Sequence, residues 1–291
     1  MPQFSKKHKI LIIILTLVIL VVSVPSIYFL CDKKHTEINN ATINYSYTNA
    51  GLITLPLKNG KYFIVDTGSK MSYIFSDRIE INSNIRGVFL IMDEKRLLPI
   101  KRIDSLQIEE KLLIRNHDFI FIKSENTLHK NDTTIVGLIG MDILSQKHCY
   151  FDIKNQTITF SDKKRTQTEL PFFVFSYKLS TRPLSDLCIN GNVFEDVLFD
   201  TGFNLFLELL EKDKEKRNIQ TPLEKDIMRD FFNNQHVVCF EKLDSVDIND
   251  VRFRNLTISY GQKNRLLGMV FVKCWSSFVI DPFNKKIEFY L

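Results

Sequence analysis

The sequence predicts a mainly β protein built from two copies of one lobe, and three observations lead there. Short runs of Ile, Val, Leu, Phe and Tyr alternate with turn residues along most of the 291-residue chain, the pattern of many short strands. Five features occur twice in the same order, about 130 residues apart, a spacing that matches a small domain. The composition suits a packed core: 44% of residues are hydrophobic and 12% aromatic. That excludes a disordered tail, a collagen-like repeat and a small disulfide scaffold. Lys and Arg number 39 against 34 Asp and Glu. Lys6, Lys7 and Lys9 precede the first apolar run, so the remainder is close to neutral and no bulk charge argues for a nucleic-acid partner.

The first element is that apolar run. Ile10 to Leu30 holds 21 residues without a charge, behind Lys6, Lys7, His8 and Lys9. As a helix rising about 1.5 Å per residue it spans roughly 30 Å, the thickness of a bilayer core. The basic flank keeps the amino end in the cytoplasm and sends everything after Asp32 outside. A single-pass membrane anchor through residues 10–30 is preferred over a cleaved secretory signal, because Pro25, Tyr28 and Phe29 make a poor cleavage site. Either way the folded part is extracytoplasmic. Residues 1–30 form the stub and anchor, 31–165 the first lobe and 166–291 the second, joined through the polar stretch Ser161 to Glu169.

Within each lobe the repeated elements follow one another. Asn59-Gly60 and Asn190-Gly191 suit tight type I′ hairpin turns, since both residues tolerate positive φ. Next comes an apolar strand ending in Asp-Thr-Gly, Tyr62 to Gly68 in one lobe and Val197 to Gly202 in the other. Ile103 to Ile108 and Leu243 to Ile248 alternate as half-buried strands. Leu138-Ile139-Gly140-Met141 and Leu266-Leu267-Gly268-Met269 are apolar strands with a glycine where backbones pack closely. Closing hairpins set Asp152, Asn155, Ile158 and Phe160 against Asp281, Asn284, Ile287 and Phe289. Elsewhere the lobes are expected to differ. Arg86 to Ile100 reads as a hairpin turning at Asp93-Glu94-Lys95, whereas Asn204 to Asn234 reads as a helical insertion in the second lobe. Thr221-Pro222-Leu223-Glu224 resembles a helix start, and the charged run Glu208 to Arg217 a solvated helix face.

The twin Asp-Thr-Gly copies carry the chemistry. Each aspartate appears where an apolar strand leaves the core, and the glycine two residues on lets the backbone turn and approach another segment. Brought together, two carboxyls in a dry site cannot both ionise, so one proton is shared. The charged member can take a proton from water while the protonated one hydrogen-bonds a substrate carbonyl, which is general acid–base attack on an amide. Five cysteines, Cys31, Cys149, Cys188, Cys239 and Cys274, read as small buried residues, with no disulfide pairing that spacing can assign. No Cys or His has zinc spacing. His117, His129, His148 and His236 read as surface or loop residues.

As a set, these motifs resemble the retropepsin/pepsin-like aspartic proteases, in the bacterial style of a single chain with two retropepsin-like lobes. The likeness covers about residues 45–291. It implies two β-barrel lobes with a cleft between them and an anchored endopeptidase that acts on a peptide or protein substrate. Asp66 and Asp200 would be the catalytic dyad, with Thr67 and Thr201 gripping each other beneath it. Gly68, Ser69 and Gly202 would complete the loops, Gly140 and Gly268 brace them, and a flap lie within Arg86–Ile100. Two loops in one chain make the catalytic unit a monomer, and neither metal nor organic cofactor is required. One departure stands out: Ser69 suits the family pattern, but the matching Phe203 is bulky and cannot donate. The Ser69 hydroxyl is therefore expected to reach Asp66, leaving Asp66 more of the negative charge and Asp200 more of the proton. Phe203 also motivates an alternative, a catalytically weak or inactive protein of this fold that binds peptides or a partner at the cell surface.

Overall fold

The computed structural model describes residues 35–91, 96–165, 169–179, 181–217 and 223–291. Glu37–Leu291 form one compact unit. The expected anchor at residues 10–30 lies outside the described residues, among which no helix is long and apolar enough to cross a membrane.

Among the described residues strands dominate, arranged in sheets of nine, seven and six. The first two share one plan. In the first, Tyr62–Val65 and Tyr73–Phe75 flank an acid-bearing turn, and the distant strand Ile135–Ile139 lies between them, parallel to one and antiparallel to the other. In the second, Asn192–Phe199 and Leu207–Leu210 flank the other turn, and Arg265–Leu267 lies between in the same sense. Ile135–Ile139 is covered on both faces, which is why it reads as an unbroken buried run. The third sheet interleaves the two halves. His148–Asp152 pairs antiparallel with Ser277–Asp281, setting Phe151 opposite Phe278, and the two rings stack with centroids 4.2 Å apart. Asp152 and Asp281 accept hydrogen bonds from the backbone and side-chain N–H groups of Asn155 and Asn284, closing the two matched hairpin turns.

Two local expectations are corrected. Asn190 and Gly191 both have positive φ, 47° and 78°, as a type I′ turn needs. At Asn59-Gly60 only Gly60 does, at 69°, and Lys58–Gly60 form a 3-10 turn. The helical insertion is the larger correction. Leu207–Leu210 is a strand, Asp213–Lys216 a single helical turn, and Glu224–Arg229 a strand paired with Gln235–Phe240. Thr221 and Pro222 lie outside the described residues. Strand pairing overrides the helix-like composition because the turn is specified locally. Asp230 N–H donates to the Asn234 carbonyl at 3.1 Å, Asn234 N–H donates to the Asp230 carboxylate at 2.9 Å, and Asn233 takes a φ of 65°. Both halves thus carry a hairpin at this point, Ser83–Ile91 with Arg96–Ile108 and Glu224–Arg229 with Gln235–Ile248. Cys149, Cys188, Cys239 and Cys274 are free thiols.

Candidate active site

Each acid loop hangs from a buried strand. Asp66 N–H donates to the Ile139 carbonyl at 3.0 Å, and Asp200 N–H to the Leu267 carbonyl at 2.9 Å. The inserted strands thereby fix where each aspartate leaves its sheet. Beneath the aspartates the two threonines, both fully buried, interlock. Thr67 Oγ1 donates to the Phe199 carbonyl at 2.8 Å and accepts from the Thr201 N–H at 3.0 Å. Thr201 Oγ1 donates to the Val65 carbonyl at 2.8 Å and accepts from the Thr67 N–H at 3.0 Å.

This interlock brings the carboxyls together. A Cβ on Gly68 would lie 2.4 Å from the Asp200 carboxyl carbon, and one on Gly202 would lie 2.8 Å from that of Asp66. Each carboxyl therefore rests over the glycine of the opposite loop, an approach that only glycine allows, and the two acids hydrogen-bond one another. Their residues keep some surface on the cleft, while the carboxyl groups themselves sit deep among neighbouring atoms. Burial, followed by the charge of Asp200, holds Asp66 well above the ordinary carboxyl range. Burial raises Asp200 too, but the Gly202 N–H at 2.8 Å, the bond to Asp66 and the nearby Arg182 charge all favour its ionised form.

Both carboxyls are thus raised, and the pair titrates as a unit that shares one proton. The premise of the expected asymmetry fails. Ser69 Oγ donates to the Met71 carbonyl at 2.7 Å, and it is the Ser69 backbone N–H that reaches Asp66, at 2.9 Å. The Asp200 carboxylate takes its main-chain hydrogen bond from the Gly202 N–H at 2.8 Å, while the Phe203 N–H donates to the Asp200 main-chain carbonyl at 3.2 Å. The Phe203 ring packs instead on Gly268, where a Cβ would come within 2.5 Å of it. Donation to the dyad is a main-chain property and survives the change from Ser to Phe.

The bracing glycines stand behind the loops. Met141 N–H donates to the Ser69 carbonyl at 2.9 Å, and Met269 N–H to the Phe203 carbonyl at 2.8 Å. A Cβ at Gly140 would meet Met71 backbone at 2.7 Å, and one at Gly268 the Leu205 carbonyl at 2.5 Å. In the first half a polar relay adds to the brace. Ser72 Oγ accepts from the Gly140 N–H and donates to Asp142, whose other oxygen meets His117 at 3.0 Å. His117 is buried, not a loop residue, and lies on a strand where it alternates with Arg115 and Phe119. His148 is likewise a buried strand residue, while His129 and His236 line the cleft.

The carboxyls open on a cavity of about 380 Å³ walled by both halves. A larger groove of about 820 Å³, between Leu57 and Glu110, holds neither acid loop. The first-half side of the cleft is largely apolar, with Leu52, Ile64, Tyr73, Leu128 and Leu138; the second-half side carries Arg182, Glu208 and Lys263. Among the described residues, the expected flap at Arg86–Ile100 contributes nothing to this wall. The second-half hairpin does, through Met228 to Phe232 and His236. Its tip crosses to the first half: Phe231 lies 5.3 Å from Tyr73 and 6.2 Å from both Phe75 and His129, centroid to centroid. Leu128 N–H donates to the Phe231 carbonyl at 2.8 Å.

No family model matches the chain, and no curated protein does. Similar solved structures include a retropepsin-like aspartic protease from Rickettsia conorii, 21% identical, covering 44% of this chain and 97% of that one with a TM-score of 0.34. Conglutin gamma, a basic 7S globulin from lupine seeds, is 9% identical over 87% of this chain and 95% of its own, with a TM-score of 0.47. Basic 7S globulin from soybean covers 87% of this chain and 97% of its own at 9% identity, with a TM-score of 0.52. At that identity the soybean protein speaks for a shared fold and for nothing about chemistry.

Proposed function

We propose that this chain is an aspartic endopeptidase, exported and held at the membrane by residues 10–30. The observation that carries the reading is the pair of carboxyls crossed over Gly68 and Gly202 and sharing a proton at the floor of a cleft. In this mechanism Asp200, ionised, takes a proton from a water as its oxygen bonds to the scissile carbonyl carbon. Asp66 gives its proton to the carbonyl oxygen. Collapse of the tetrahedral adduct breaks the carbon–nitrogen bond as one of its two hydroxyls returns a proton to Asp66 and the proton held by Asp200 passes to the amine. An extended peptide would lie along the cleft beneath the Phe231 hairpin.

The test is cleavage of a diverse peptide library by the wild type, Asp66→Asn and Asp200→Asn, with a pepstatin-type inhibitor as a control. Each asparagine is expected to lower turnover by about a thousandfold with an unchanged melting temperature. Undiminished cleavage by purified Asp66→Asn protein would refute the mechanism. A second reading, peptide capture without hydrolysis, draws on the hairpin tip already lodged on the first half through Phe231. Peptide binding with no cleavage from acidic to neutral pH would favour it.

A further inference from the structure

Glu208 is a buried acid that the dyad chemistry leaves unused. It is 4% exposed and lines the cavity that holds Asp66 and Asp200. Its strand sets it opposite Leu266 on one side and Ser259 on the other. In the first half the residue opposite Leu138, which the repeat matches to Leu266, is Tyr73. The two walls of one cleft therefore present a ring and a carboxyl at corresponding places. The backbone makes room for that carboxyl: a Cβ on Gly261 would come within 2.6 Å of Glu208 Oε1.

What Glu208 lacks is a counter-charge. Its hydrogen bond comes from the Ser259 hydroxyl at 3.2 Å. Of the basic residues around the cavity, Lys263 is 3.1 Å from Asp230, Arg229 donates to Asn233 at 3.0 Å, and Arg182 acts on Asp200. Among the described residues no cation pairs with Glu208. Burial, then the charge of Asp200, pushes its carboxyl up to about 7, the response of an acid with nothing positive beside it. A buried carboxylate is costly alone and much less so beside a cation.

We propose that Glu208 makes the second-half wall of the cleft a subsite for a basic side chain, Lys or Arg, of an extended peptide, while the Tyr73 wall receives apolar ones. This rests on the peptide-cleft reading above, but on binding and not on hydrolysis.

The test uses the full-length chain and a series of decapeptides whose central amide is replaced by an uncleavable methylene-amine. One Lys is walked through an otherwise apolar sequence and compared at each place with norleucine. The expected result is one position where Lys binds about tenfold tighter than norleucine. Glu208→Gln, which keeps the shape and the Ser259 contact, should remove that preference and leave norleucine peptides unaffected. No Lys preference at any position, or one that survives Glu208→Gln, would overturn the proposal. Incubating the wild type with the same sequences as ordinary amides separates the two readings. Lys preference without cleavage sinks the protease and keeps the subsite; cleavage without Lys preference does the opposite.

Discussion

Thr67 and Thr201 are ordinary turn residues by type, yet each hydroxyl here both donates to a carbonyl and accepts from an N–H of the opposite loop. All four bonds are buried, where a lost partner costs more than the bond itself contributes. Thr201→Val keeps the shape but strands the Val65 carbonyl and the Thr67 N–H. It is expected to cost roughly 2–4 kcal/mol, whereas Thr201→Ser, which keeps the hydroxyl, should stay within about 1 kcal/mol of wild type. Urea unfolding of the three proteins measures this, and equal midpoints for Val and Thr would show that the interlock holds nothing. The aspartates and threonines were legible in the sequence because the motif is duplicated in a duplicated context. The donors around the dyad were not, because they are main-chain N–H groups that every residue type supplies, and because Arg182 lies outside any motif. Glu208 was missed for a related reason. A charge count saw it as part of a solvated run, although its neighbours Leu207, Leu209 and Leu210 mark an acid inside an apolar strand.

The hairpin Glu224–Arg229 with Gln235–Ile248 forms part of the cleft wall and touches the first half. Phe231 meets Tyr73, Phe75 and His129, and ring pairs of this kind contribute about 0.5–1.5 kcal/mol each. His129 lies in this contact, and burial lowers its imidazole to about 4, with the Asp132 and Arg78 charges opposing one another. The sign follows from linkage. A base depressed in the closed state adds stability that is present above its ordinary value of about 6.5 and is lost as pH falls through about 4. Acid should therefore open the hairpin. Hydrogen exchange at the Leu128 amide, which bonds to Phe231, reads this after correction for intrinsic rates. Protection is expected at pH 7 and lost near pH 4, while Phe231→Ala should reduce it by about tenfold even at pH 7. A Leu128 amide equally protected at both pH values would show that His129 does not hold the latch. The sequence hid this element because Glu224, Lys225 and Met228 favour helix on intrinsic grounds. Cross-strand pairing and the Asp230–Asn234 turn are tertiary and local-geometry effects that propensity does not sum.

At the scale of the whole molecule, the two copies of the duplicated sequence share one sheet. The shared sheet draws Ala41–Asn44, His148–Asp152 and Thr157–Ser161 from the first half and Phe173–Ser176, Ser277–Asp281 and Lys286–Tyr290 from the second. Separating the halves would bare the edge of His148–Asp152 and the Phe151 face, both buried now. An exposed apolar edge strand seeks another strand. Because His148–Asp152 and Ser277–Asp281 occupy matched places in the two copies, Asp152 answering Asp281 and Phe151 answering Ile280, a second first half offers an apolar strand in the place of the one that was removed. A fragment of residues 35–165 should therefore self-associate as a dimer through His148–Asp152, and adding residues 166–291 should displace one copy and restore the mixed pair. Sedimentation of each fragment alone and of the mixture tests this, with Phe151→Ala weakening both associations by about 3–5 kcal/mol. Two fragments that remain folded monomers, alone and together, would show that each half is complete in itself. The shared sheet would then be a contact between finished lobes, and the carboxyls of Asp66 and Asp200 would owe their closeness to the threonine interlock alone.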